Sequence, residues 1–181
     1  LKTHSAAGPD GIDARILKLA IDIIAAPLTN LINRSLTSGI VPSVWKTARV
    51  IPLHKKGARD VCGNYRPISC LNIPAKVLET VAKIQISNFF EEHNLFATSQ
   101  HGFRKKRSTT SALIDMHTTW VNALDGNKHA AVLSFDLSSA FDSVDADILC
   151  NKLSIIGFDS QSVNWIRSFL SDRSQYIQIG N

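Results

Sequence analysis

The chain has 181 residues, 44% of them hydrophobic, which is enough to bury a core and too apolar for a disordered segment. Twenty Lys+Arg against fifteen Asp+Glu give a formal net charge of +5, a balance that suits a polyanionic partner without excluding an ordinary enzyme. Cys62, Cys70 and Cys150 are odd in number and lack CxxC spacing, which argues against a disulfide framework and a zinc site and for a reducing compartment.

No apolar run approaches the ~18 residues of a membrane span, and the opening "LKTHSAAGPDG" has no signal-peptide core. The chain begins without Met and stops inside the alternating run "QYIQIGN", so a piece of a longer polypeptide is expected. In chain order, Ile12, Ile16, Leu19, Ile23 and Ile24 mark one face of a helix entered through "GPD". Pro27 is expected to stop or restart it, with Leu28, Leu31, Ile32 and Leu36 continuing as a second helix closed by Gly39 and Pro42. "TARVIPLHKKG" is β-prone up to a Lys-Lys-Gly turn, and "NYRPISC" is the returning strand of a hairpin. Pro52 and Pro67 assign both strands to edges.

Helical spacing returns with Ile73, Val77, Val81 and Ile84, reaching Phe89. It returns again with Leu113, Met116, Trp120, Val121 and Leu124 behind Ser108 as N-cap, and both stripes read as core. "HAAVLSFDL" has no helical period and reads as a strand buried on both faces. Two short helices follow. The first is capped by Asp145 and carries Ile148, Leu149 and Leu153; the second opens near Ser160 and carries Val163, Ile166, Phe169 and Leu170. "SQYIQIG" alternates as a final strand.

Charge is segregated. Lys46, Arg49, Lys55, Lys56, Arg59 and Arg66, with "RKKR" at 104–107, hold ten of the twenty cations, whereas Asp136, Asp142, Asp145 and Asp147 cluster without one. A carboxylate at the exit of a strand can be held rigidly with its oxygens toward a cleft, the placement a hard cation needs. Asp136 is therefore either such a ligand or the cap of a turn at "DLSSAF", and spacing leaves both open. Asp142 is a capping residue by the same logic, and Asp145 and Asp147 suit the first turn of the next helix. An aspartyl-phosphate enzyme needs a second aspartate where Ser138 stands, and "HKKG" lacks the glycine spacing of a P-loop. The six histidines have no His-x-x-x-His spacing.

Taken in order, "GPDGI", "SLTSGIVPSVWKTARVIPLHKKG", "NYRPIS", "KVLETVAKI", "SQHGFRKKRST" and "LSFDLSSAFDSVD" resemble the reverse transcriptase domain of non-LTR (LINE-type) retrotransposons, from residue 8 to about 180. The resemblance implies an α+β fold, the fingers and part of the palm of a right-hand polymerase. Residues 1–45 would be an N-terminal helical extension, 46–128 the fingers and 129–181 the first half of the palm. The implied activity is RNA-directed DNA synthesis, with an RNA template, a DNA primer and dNTPs as partners and two Mg²⁺ ions, replaceable by Mn²⁺, as cofactors. The rest of the palm, a thumb and an endonuclease would belong to the same polyprotein, acting in the nucleus or a cytoplasmic ribonucleoprotein and away from membranes.

Residue by residue, the resemblance makes Asp136 the first catalytic, metal-binding aspartate, with the backbone carbonyl of Leu137 as a further ligand. Phe141 would be a steric gate under the sugar that favours dNTPs over rNTPs. Arg66 would grip the triphosphate with its planar fork of donors, helped by Lys55 or Lys56 at the hairpin tip. Gln100, Gly102, Phe103, Arg104, Lys105, Lys106 and Arg107 would lie along template and primer, the cations on phosphate. "GPDG" would sit in an extension that contacts template RNA, although Gly8 and Gly11 are explained equally as turn formers.

The family continues with Gly-x-Pro-Gln-Gly and Ala-Asp-Asp segments that this sequence does not contain. With one of three aspartates, these residues alone are expected not to polymerise DNA. The rival reading is a non-catalytic nucleic-acid-binding remnant of such an element. Group II intron and telomerase-like polymerases fit "NYRPIS" and "SSAFD" less well.

Overall fold

The computed structural model describes residues 6–137 and 140–178. They form six α-helices and a three-stranded sheet: α1 (Ala14–Leu19), α2 (Ile21–Ser38), β1 (Thr47–His54), β2 (Tyr65–Cys70), α3 (Ile73–Glu92), α4 (Thr109–Asp125), α5 (Ala146–Ile155), α6 (Ser160–Leu170) and β3 (Ser174–Ile177). The class is α+β. The chain divides into two compact units, one of residues 1–80 with 143–181 and the other of residues 81–142.

In the first unit β1 and β2 make the expected antiparallel hairpin, and β3 joins parallel to β1, giving the order β2-β1-β3. The register sets Pro52 opposite Pro67. Lys55 N–H donates to the Asn64 carbonyl at 2.8 Å, and alternation from that rung makes the proline rung one at which antiparallel partners exchange no hydrogen bond. Neither missing N–H is therefore felt. The edge assignment holds for β2 but not for β1, which is central. Its ladder to β3 covers Thr47 to Val50 and ends before Pro52.

The core of this unit is built from Ile32, Val41, Ala48, Val50, Leu71, Ile73, Leu78, Cys150, Leu153, Val163, Trp165 and Ile166, all buried. Helices α5 and α6 open on Asp145 and Asp159, whose carboxylates accept from the second and third backbone N–H groups of each helix. Trp165 Nε1 donates to Ser35 Oγ at 3.0 Å, and Ser35 Oγ donates to the Ile40 carbonyl at 2.6 Å, so α6 is fastened to the end of α2. Gly39 closes α2 in the left-handed region at φ 70°.

Pro27 does not interrupt α2. The break lies at Ala20, and Pro27 sits inside the helix. The missing hydrogen bond to Ile23 falls on an exposed stretch where water can satisfy the carbonyl. The stripe Ile16, Leu19 and Ile23 is also exposed, at 58%, 88% and 80%.

"GPDG" is a built turn. Gly8 is buried with its backbone against Asn72, and a Cβ there would lie 2.3 Å from the Asn72 nitrogen. Asn72 accepts from the Asp10 N–H and donates to the Val44 carbonyl, each at 3.2 Å. Arg49 and Lys76 donate to the carbonyls of Ala7 and Ala6 at 3.0 Å. Gly11, at φ 69°, takes the left-handed position.

In the second unit α4 is opened by Ser108 through a capping box with Ser111, as the sequence indicates. Its apolar stripe is not core: Leu113, Met116 and Leu124 are exposed, and Ala82 is the one buried residue among those described in this unit. The expected strand over "HAAVLSFDL" is likewise absent. Residues 128–137 have no regular structure, and Leu133 and Phe135 are 83% and 86% exposed. A strand exists only through a ladder to another strand. Among the described residues the sheet has three members, none of them this segment. The expected final strand is β3, though residues 179–180 of "SQYIQIG" lie outside the described residues.

Candidate nucleotide and nucleic-acid site

Four exposed cations of the first unit lie on the β1–β2 hairpin. Arg66 is exposed opposite Leu53, and Lys55, Lys56 and Arg59 are exposed in the connection between the strands. None of the four side chains has a carboxylate or hydrogen-bond partner among the described residues. Arg15, Arg167 and Arg173, in contrast, pair with Asp13, Asp147 and Glu79. Solvated cations without internal counterions keep their full charge for an outside anion. The turn carrying them is fixed independently of those charges: Asn64 Nδ2 donates to the Ala58 carbonyl at 2.7 Å and Tyr65 Oη to that of Arg59 at 2.8 Å.

In the second unit the four cations at 104–107 separate into two kinds. Arg104 faces inward, its side chain 14% exposed. Its Nε and Nη2 meet the two oxygens of Glu91 at 3.1 and 2.9 Å, Nη1 donates to the Ala97 carbonyl at 3.1 Å, and the guanidinium lies 4.8 Å from the Phe96 ring centre. This pairing raises Arg104 above its ordinary pKa, and the Arg104 hydrogen bond holds the Glu91 carboxyl below the usual carboxylate value. Lys105 and Lys106 are exposed, while Arg107 lies 3.9 Å from Asp115. The sequence gives "RKKR" as one basic run; the structure makes its first member a strut.

His101 is a second strut that the histidine spacing did not signal. Its Nε2 lies 3.0 Å from Asp115 Oδ2, and its Nδ1 lies 2.8 Å from Ser111 Oγ, the capping-box hydroxyl of α4. Between the two struts stand Gly102 and Phe103. A Cβ at Gly102 would meet nothing within 4 Å among the described residues, so none of them requires a glycine there. Gln100 is exposed, its N–H turned to the Ala97 carbonyl at 3.0 Å. The Phe103 ring, 88% exposed, meets the Phe141 ring, 82% exposed, edge to face at 6.5 Å.

Asp136 also belongs to this unit and is exposed, as is Leu137. A turn cap by Asp136 within "DLSSAF" would involve Ser138 and Ser139, which lie outside the described residues. No group of three or more His, Cys, Asp or Glu side chains able to hold a metal ion occurs among the described residues. Mg²⁺ takes about six oxygen ligands, so one carboxylate does not make a centre for two ions. No helix among the described residues is long and apolar enough to cross a membrane.

Residues 53–181 match the family model described as reverse transcriptase (RNA-dependent DNA polymerase). The chain is 27% identical over 180 residues to the RNA-directed DNA polymerase from mobile element jockey of Drosophila melanogaster, covering 99% of this chain and 20% of that protein. It is 28% identical over 178 residues to the Retrovirus-related Pol polyprotein from type-1 retrotransposable element R2 of Popillia japonica, covering 97% and 24%. A probable RNA-directed DNA polymerase from transposon BS of Drosophila melanogaster is 26% identical over 155 residues, covering 85% and 17%. The chain thus spans about a fifth of the length of the curated relatives it matches. With the motifs in order and more than two thirds of its residues within the family match, the chain belongs to the reverse transcriptase (RNA-dependent DNA polymerase) family.

Proposed function

We propose that this chain is the fingers and first part of the palm of a non-LTR retrotransposon polymerase that copies RNA into DNA from a primer 3′-hydroxyl. Residues 1–45 serve as an N-terminal extension, 46–128 as fingers and 129–181 as palm. The family match over residues 53–181 carries the reading.

Two features of the molecule support it. Arg66, Lys55 and Lys56 are exposed on one hairpin with no internal counterion, as cations that receive a triphosphate must be. Asp136 is an accessible carboxylate five residues before Phe141, exposed to whatever binds beside it. Asp136 supplies one catalytic carboxylate, Phe141 excludes the ribose 2′-hydroxyl, and Lys105 and Lys106 meet template or primer phosphates. Arg104 contributes by holding the loop.

Primer extension tests the reading. The full-length gene product, given an RNA template, a DNA primer, dNTPs and Mg²⁺, should extend the primer, and Asp136→Asn should abolish extension while leaving nucleic-acid affinity intact. The isolated 181-residue chain should bind but not extend. Binding without extension by the full-length product would favour a non-catalytic remnant, and undiminished extension by Asp136→Asn would remove that residue from the chemistry.

A further inference from the structure

The contact between Phe103 and Phe141 joins two residues that are each more than four-fifths exposed, with ring centres 6.5 Å apart and planes at 78°. Neither ring is sheltered in a core, so hydrophobic burial does not account for their meeting. An edge-to-face pair sets the orientation of both rings, because the positive edge of one prefers the negative face of the other. What remains is to ask which ring is fixed and which follows.

Phe103 is the fixed one. It stands between His101, held by Asp115 and Ser111, and Arg104, held by Glu91, Ala97 and Phe96. Its backbone is at φ 61°, a left-handed conformation that a bulky residue rarely takes and that glycine would adopt at less cost. A bulky residue kept in an unfavourable backbone conformation at an exposed tip points to a role for its side chain. Phe141, by contrast, stands in a short turn over residues 140–143, and its ring is 82% exposed.

We propose that Phe103 is a positioning residue for Phe141, the loop tip acting as a brace that holds the aromatic gate and so sets discrimination between deoxyribose and ribose. This rests on the reading of Phe141 as the gate. Losing one aromatic pair relaxes the gate by roughly two- to tenfold in selectivity.

The test uses the full-length gene product and competing dNTP and rNTP. Phe103→Gly removes the ring and suits the left-handed backbone, so any change it causes belongs to the ring and not to strain. It should lower the dNTP-to-rNTP selectivity by that factor, read as a rise in rNTP incorporation relative to dNTP incorporation. Phe103→Tyr should restore selectivity, and Phe103→Leu should not. Unaltered rNTP exclusion relative to dNTP incorporation in Phe103→Gly would overturn the brace alone. Absence of incorporation by the unmodified protein would overturn the polymerase reading and the brace with it. An equal fall in both incorporations would make Phe103 a structural residue only and also overturn it.

Discussion

Arg104 and Glu91 form a two-pronged pair, Nε to Oε1 at 3.1 Å and Nη2 to Oε2 at 2.9 Å, that ties the loop after α3 back onto the last turns of that helix. An arginine in a run of four cations thereby serves the fold, and the charge offered to solvent at 104–107 is correspondingly smaller than the sequence suggests. The pairing is geometric as well as electrostatic, because the guanidinium fork matches both carboxylate oxygens.

The first prediction follows from the Glu91 carboxyl. The hydrogen bond from Arg104 lowers its pKa from the ordinary 4.5, partial burial opposes this, and the charges of Arg104, Arg107 and Lys105 add to the lowering. A carboxyl depressed in the folded state stabilises that state above its unfolded pKa, and the contribution disappears as pH falls through the folded value. Amide-exchange protection across residues 95–104 should therefore be level above about 4.5 and decline below it. Glu91→Gln should show lower protection with no such decline. A Glu91→Gln profile identical to the unmodified protein would remove the pair from the account.

Gly8 supplies the second. An added Cβ would lie 2.3 Å from the Asn72 backbone nitrogen and 2.5 Å from its Oδ1, so Gly8→Ala must push the turn off the start of α3. Overpacking of this kind costs roughly 1–3 kcal/mol, read as a lower urea midpoint. Gly11→Ala meets no atom within 4 Å and pays only for its φ of 69°, about 1 kcal/mol. Equal effects of the two substitutions would contradict the close approach at Asn72.

Pro27 gives the third, with the opposite sign. It sits in the interior of α2 on an exposed face, where it deprives the Ile23 carbonyl of its helical donor. Pro27→Ala should restore that bond and stabilise the first unit by up to about 3 kcal/mol, seen as a higher thermal midpoint and more helical circular dichroism. A lower midpoint would mean that the proline fits a bend the unit requires.

The hairpin was legible because its signals are local. β-prone residues, a Lys-Lys-Gly turn and a returning "NYRPISC" define it, and the register then hides both prolines in one rung. Ser108 and Asp145 were legible as caps for the same reason, since a cap reaches only two or three residues along the chain. The apolar stripe of α4 and the run "HAAVLSFDL" were misread as buried because periodicity shows which face could be covered, not whether anything covers it. The pairing of Arg104 with Glu91 was not legible, because a charge run does not reveal which member has a carboxylate 13 residues upstream.

The order of residue types by itself determined the family and the caps that open α4 and α5, because motifs and caps are written in neighbouring positions. Tertiary structure alone decided that β3 lies parallel beside β1, that Arg104 and His101 brace a loop, and that Phe103 meets Phe141 across 38 positions. Those pairings depend on how distant segments come together, and the free energy of such contacts has no trace in any short stretch of sequence.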